Sequence, residues 1–225
     1  ALNPSLRKSL PYDPLKDFTS IGIVDHFPFS LVIDPKLPAN DVKSFIAYAK
    51  EHPGKLNFSS WGTGSLAQVA FEQLKQAAGI DLVHVPFNGA APAISAVMAG
   101  TVQALVAPLS LSLPYAANGR VKLIAVTSDK RQDVLPDAPT LSELGLPVVI
   151  SGWHVLAAPT GTPAEAIATL NRALNAVTAR RDVREKLLKV GVQPAGSTPK
   201  EAQAVVDSEF QRWGNIARKA GIKLE

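Results

Sequence analysis

From Leu82 to Gly119 the chain carries no Asp, Glu, Lys or Arg. A stretch this long without charge is buried, either in a bilayer or under other protein. Pro86, Pro92, Pro108 and Pro114, with Gly89 and Gly100, cut it into pieces of strand and short-helix length, well below the roughly 20 apolar residues of a membrane helix. Parallel strands with helices packed on both faces explain it better. The expected fold class is therefore α/β, and 225 residues leave room for two lobes with mixed or parallel sheets flanked by helices.

Extended upstream, the stretch from Leu56 to Gly100 reads as two successive strand, loop and helix units. The first strand is expected over Leu56–Ser60, and the loop Trp61-Gly62-Thr63-Gly64-Ser65 leads into a helix stopped by Gly79. Ser65 or Thr63 is the expected N-cap, with Leu66, Val69, Ala70, Leu74, Ala77 and Ala78 facing inward. The second strand is expected over Leu82–Phe87 and its loop over Asn88-Gly89-Ala90-Ala91. Its helix starts at Pro92, whose missing N–H is no loss in a first turn. Two such helix starts on neighbouring parallel strands lie side by side at the carboxyl edge of the sheet, where open α/β sheets take ligands. Free backbone N–H groups, positive dipole ends and the hydroxyls of Ser59, Ser60, Thr63 and Ser65 then suit a small anion, a carboxylate or similar group.

Elsewhere the prolines in the first 18 residues mark a surface connection. Short strands are expected at Ile21–Val24 and Phe29–Ile33. A helix over Asp41–Glu51, capped by Asn40 or Asp41, turns Val42, Phe45, Ile46 and Ala49 inward. A third parallel strand follows at Val102–Ala107, then a short helix to Ala117 and a strand at Leu123–Thr127. Val148–Ala158 reads as a long strand crossing between lobes. Thr162-Pro163-Ala164-Glu165 and Thr198-Pro199-Lys200-Glu201 both have the form of capping boxes. The last helices are lined by Ile167, Leu170, Leu174 and Val177, by Val183, Leu187 and Leu188, and by Val206, Phe210, Trp213 and Ile216.

Gly62-Thr63-Gly64-Ser65-Leu66-Ala67 matches the dinucleotide fingerprint. That fold wants an acidic residue at the end of the next strand, where this chain has Phe87-Asn88. A purely structural glycine turn is the other alternative to anion capture. His26, His52, His84 and His154 show no metal-ligand spacing, and the absence of cysteine excludes disulfides and thiolate chemistry. No serine elbow and no carboxylate pair stands out, so neither catalysis nor a metal or cofactor is expected. The net charge of +4 is spread over scattered basic residues, without the basic, aromatic-interleaved patch of a nucleic-acid binder. Trp61 and Trp153 are candidate pocket walls, with ordinary packing as the alternative for both. No signal peptide opens the sequence.

The segments PYDPLKDF, PGKLNFSSWGTGS, HVPFNGAAPA, LIAVTSDKR, LPDAPTLSELGLP, APTGTP and AGIKLE together resemble the tripartite tricarboxylate transporter receptors, the Bug or TctC-type extracytoplasmic binding proteins. The likeness runs in consistent order over essentially the whole chain. It implies a type II periplasmic binding protein fold, with residues 1–30 and 150–225 in a first lobe and 31–149 in a second lobe carrying the anion loops. It also implies a periplasmic receptor, not an enzyme, that closes on a small mono- or dicarboxylate and passes it to membrane permease subunits. The family's carboxylate loop falls on Ser59, Ser60, Gly62, Thr63, Gly64 and Ser65, with Trp61 inside it, and its water-bridging loop on Phe87, Asn88, Gly89, Ala90 and Ala91.

Many members place an Asp suited to a ligand ammonium after the third strand of this lobe. Here that place holds Ala107-Pro108, so a ligand with a free amine is not expected. Members also begin with a further strand, loop and helix ahead of the point where this chain starts. The first lobe is thus expected to lack its N-terminal part, and a second copy of the chain to cover the exposed sheet edge as a homodimer. The alternative reading is the effector-sensing domain of a regulator with the same two-lobed fold, and an α/β enzyme comes third.

Overall fold

The computed structural model describes residues 11–219, so the first part of the expected opening connection and the closing segment lie outside the described residues. The packing of Ile216 lies outside them as well. Two compact units emerge, one of Pro28–Gly152 and one of Ala1–Phe27 with Trp153–Glu225. Both divisions fall inside strands, β1 (Phe18–Ile33) and β6 (Ser151–Pro159). The two short strands expected at Ile21–Val24 and Phe29–Ile33 are in fact one strand of 16 residues. Pro28 reads as a stop but lies between the part of β1 that pairs with β7 (Gln193–Pro194) and the part that pairs from Phe29 onward with β4 (Ala104–Pro108). Neither ladder calls for its missing N–H there.

In the unit of Pro28–Gly152, β2 (Leu56–Ser60) runs parallel to β3 (Leu82–Pro86), from Leu56 opposite Leu82 to Ser60 opposite Pro86. It also runs parallel to β4. The second half of β1 lies antiparallel between β4 and β5 (Lys122–Val126), giving the order β3-β2-β4-β1-β5. Hence β2 to β5 all point one way, and their carboxyl ends share one edge. The helices are α1 (Val42–Glu51), α2 (Leu66–Ala78), α3 (Ala90–Ala99) and α4 (Leu109–Ala117). Those that follow parallel strands, α2, α3 and α4, start at that edge. In contrast α1 follows the antiparallel β1 and starts at the other.

The core explains two departures from the sequence pattern. On α2 the buried stripe is Ala67, Gln68, Val69, Ala70, Phe71, Leu74 and Ala78, while Ala77 is exposed and Leu66 only half-buried. The stripe turns this way because the Phe71 ring stacks on Phe58 of β2, 4.2 Å between centroids and 5° from parallel. Burying two such rings contributes about 1.5–3 kcal/mol each. On α3 the helix begins at Ala90, not Pro92, with Gly89 as N-cap. Pro92 occupies the third helical position, still within the first turn where no N–H has an intrahelical acceptor. Ala90 and Ala91 therefore belong to the helix and not to the loop.

In the other unit, β1 pairs with β7 and β6, beside α5 (Ala164–Ala179), α6 (Arg181–Leu188) and α7 (Pro199–Lys219). Strand β6 starts at Ser151; Val148 and Ile150 are buried but irregular, and the Ile150 N–H goes to the Thr127 carbonyl. Of the two capping boxes, the second forms: the Glu201 N–H donates to Thr198 Oγ1 and the Thr198 N–H to the Glu201 carboxylate. The first does not, because the Thr162 hydroxyl donates to the Pro159 carbonyl and α5 starts one residue later behind Pro163.

The α5 face is only partly the apolar one expected: Ile167 is buried and Leu174 half-buried. Leu170 and Val177 are exposed, while Asn171 donates to the carbonyls of Ile21 and Ser197 at 2.7 Å each. The cause is Gly22: a Cβ there would stand 2.8 Å from Leu174. The helix approaches the β1 backbone so closely that main-chain carbonyls need amide partners.

Candidate functional site

The carboxyl edge of the β3-β2-β4 sheet gathers most of the candidate residues. Hydrogen bonding between β2 and β3 continues past the strands, with the Phe87 N–H donating to the Ser60 carbonyl at 2.9 Å. The loops Trp61–Ser65 and Phe87–Gly89 therefore leave the sheet side by side. Gly62 at φ +125° and Gly89 at φ +119° take the backbone through conformations that disfavour side chains. Ser65 caps α2 by accepting the Gln68 N–H at 3.4 Å, and its own N–H donates to the Gly62 carbonyl at 3.1 Å. The Gly64 N–H is committed to the Gln68 side-chain oxygen at 2.7 Å. That leaves Leu66 and Ala67 on α2, and Ala90 and Ala91 on α3, with N–H groups that lack intrahelical acceptors.

The hydroxyls divide unevenly. Ser59 is fully buried and donates to the Ala93 carbonyl at 3.2 Å, which ties β2 to the first turn of α3. Ser60, also fully buried, is engaged around Gly62 and on His84. Thr63 is exposed, and no hydrogen bond among the described residues occupies its hydroxyl.

Charge at the helix starts separates this edge from the rest of the protein. Among the described helices, α1 is capped by Asp41, and α5, α6 and α7 carry Glu165, Asp182 and Glu201 in their first turns. The three that start at the carboxyl edge carry no acid there: α2 is capped by neutral Ser65, and α3 and α4 start on Gly89 and Pro108 with no side-chain cap. A helix start is equivalent to about half a positive charge. Elsewhere a carboxylate answers it; at this edge three remain unanswered.

Aromatic rings line part of the edge. Trp61 is half-buried and stacks on Phe29 of β1, 5.7 Å between centroids and 17° from parallel, with Phe87 packed against the same core cluster. Ala107 lies fully buried at the end of β4, paired with Ser30, whose hydroxyl donates to the Ala107 carbonyl. Trp153 sits in the other unit, where its indole N–H and that of Trp213 both reach Glu209, at 3.4 and 2.6 Å.

His84 is the residue the sequence pattern did not single out. Its Nε2 lies 2.7 Å from Ser60 Oγ and its ring stacks on Phe58 at 4.9 Å. Burial, and to a lesser degree the Lys75 ammonium, holds its pKa below the usual histidine value. A hydroxyl beside an imidazole is the start of a nucleophile and its base, but the Ser60 side chain has no exposure through which a substrate would reach it. An imidazole–carboxylate pair, His154 and Asp25 at 2.8 Å, lies in the other unit with Phe27 stacked on the imidazole. Among the described residues no group of three or more metal-ligating side chains forms a cluster.

The model of the TctC family, described as the tripartite tricarboxylate transporter family receptor, matches residues 1–222. Protein BugT of Bordetella pertussis is 31% identical over 226 residues, covering 100% of this chain and 69% of its own length. A solved Rhodopseudomonas palustris protein described with adipate superposes with a TM-score of 0.95 at 31% identity, over 99% of this chain and 75% of that one. MatC from the same organism, with bound malate, gives 0.85 at 30% identity, over 94% and 74%. The chain spans between 62% and 69% of the length of BugT and the next four curated relatives it matches. With the fold, the bare helix starts and a match over nearly its full length in agreement, the chain belongs to the tripartite tricarboxylate transporter receptor family.

Proposed function

We propose that this protein captures a small organic carboxylate at the carboxyl edge of the β3-β2-β4 sheet, as the extracytoplasmic solute-binding component of a tripartite tricarboxylate-type transporter. The observation that carries this reading is the charge pattern of the helix starts: an acid at each of α1, α5, α6 and α7, and none at α2, α3 and α4. Adipate and malate, named with two similar structures, belong to this class of small carboxylate. The ligand is held by the Leu66, Ala90 and Ala91 N–H groups and the Thr63 hydroxyl, with Trp61 against its carbon body. Charge-assisted hydrogen bonds contribute about 1.5–3 kcal/mol each, so a few of them support micromolar binding after the cost of association. No bond in the ligand is made or broken; it passes intact to permease subunits from a periplasmic location.

Calorimetric titration of the chain with adipate, malate and the uncharged adipamide tests this. Heat from at least one of the acids, with none from the diamide, is expected. Equal binding of adipamide and adipate would remove the anion site from the account.

A further inference from the structure

We propose that His84 is the positioning residue of the anion loop, donating Nε2–H to Ser60 Oγ and so holding the Gly62 turn from which the Thr63–Ser65 segment departs. The argument is one of hydrogen-bond accounting at Ser60. Its hydroxyl has one proton and two lone pairs, and three partners surround it: the Gly62 carbonyl at 3.0 Å, the Gly62 N–H at 3.2 Å and His84 Nε2 at 2.7 Å. The carbonyl only accepts, so it takes the hydroxyl proton. The Gly62 N–H only donates, so it takes one lone pair. The remaining lone pair is satisfied only by a donor, which makes Nε2 the protonated nitrogen of His84.

The surroundings keep the rest of the ring neutral. Phe58 covers it from β2, and the ammonium of Lys75 of α2 acts on it from 5.6 Å off the Phe58 centroid. Lys75 is itself paired with Glu72 at 3.3 Å and reaches Asp81, just before β3, at 4.0 Å. Burial and that ammonium both disfavour a second proton, leaving Nδ1 bare. Were the proton on Nδ1 instead, Ser60 would turn its own proton to Nε2 and release the Gly62 carbonyl. The tautomer of His84 thus decides whether Ser60 closes the small ring around Gly62, which holds φ at +125°. The effect on the loop stands alone; the effect on affinity rests on the carboxylate reading above.

The wild-type chain labelled with 15N tests the first part directly. Imidazole nitrogen shifts near neutral pH are expected to show His84 protonated at Nε2 and bare at Nδ1, and the opposite tautomer overturns the proposal. His84→Phe keeps the ring stack and removes the donor, whereas His84→Gln keeps an amide donor. Exchange of the Gly62 amide in the ligand-free protein is expected to rise about tenfold in the Phe variant and stay within about threefold in the Gln variant. Adipate affinity is expected to follow the same order. If wild-type protein binds neither adipate nor malate, the functional reading fails while tautomer and exchange still decide the role of His84. If wild type binds and His84→Phe binds equally well with unchanged Gly62 exchange, His84 has no such role.

Discussion

The two edges of the β3-β2-β4-β1-β5 sheet are built from the same materials and finished in opposite ways. At the edge where α1 begins, Asp41 accepts the Ser44 N–H at 2.7 Å and the Ser44 hydroxyl at 2.6 Å, a complete capping box with a full negative charge on it. Lys122 reaches the carbonyls of Leu37 and Ala39 on that side, so charged groups there are spent on holding the chain. At the edge where α2, α3 and α4 begin, the polar work is done by Ser59, Ser60, Ser65 and Gln68, all uncharged. The first arrangement neutralises a helix dipole for stability; the second settles the loop geometry and leaves the dipoles without a resident carboxylate. Neutral finishing is what an anion site needs, since a resident carboxylate would compete with the ligand for the same N–H groups.

The comparison breaks most visibly if the second edge is given the finish of the first. Asp ranks with Ser as an N-cap, so Ser65→Asp is expected to leave thermal stability within about 2 °C of wild type. A fixed carboxylate close to a bound one repels it by a few kcal/mol at an effective dielectric near 20, and adipate affinity is expected to fall about hundredfold. Calorimetry beside a thermal melt reads both. A variant that melts normally and still binds adipate would mean that the ligand does not sit at the start of α2.

A milder change sharpens the same contrast. Thr63 is exposed and its hydroxyl has no partner among the described residues, so Thr63→Ala removes the proposed ligand contact and nothing structural. About a tenfold weakening of adipate binding is expected, the low end for one hydrogen bond to a charged group. No change in calorimetry would take that hydroxyl out of the site while leaving the backbone donors in it.

Much of this edge is readable from the residues because its causes are local. Ser65 as cap, Gly79 as stop and Leu56–Ser60 as strand each follow from neighbours a few positions away. The start of α3 is not legible locally, because Pro92 is tolerated anywhere in a first turn and marks the turn without saying which residue opens it. The continuity of β1 through Pro28 depended on which partners each half finds, a non-local fact. His84 was unreadable for the same reason. Its meaning comes from a parallel register that sets Phe58 opposite His84 and Ser60 two residues on. Only period-2 alternation, which turns Phe58 and Ser60 to one face of β2, hinted at such a meeting.

The smallest effect belongs to the charged edge and comes from acid. Asp41 has its pKa lowered from the ordinary 3.8, first by the Ser44 hydroxyl and then by the Ser44 N–H. Because the folded value lies below the unfolded one, the unfolded chain binds more protons in that range. The carboxylate therefore contributes stability above the unfolded value, and this is lost as pH falls through the folded value. Asn caps a helix about as well as Asp, so Asp41→Asn keeps the turn and deletes the titration. Near pH 6 wild type is expected to melt slightly above the variant, and the gap is expected to narrow as pH falls below the ordinary 3.8. A gap that stays constant across that range would mean the charge on Asp41 does no more for α1 than a neutral cap, and the two edges would then differ in ligand access alone.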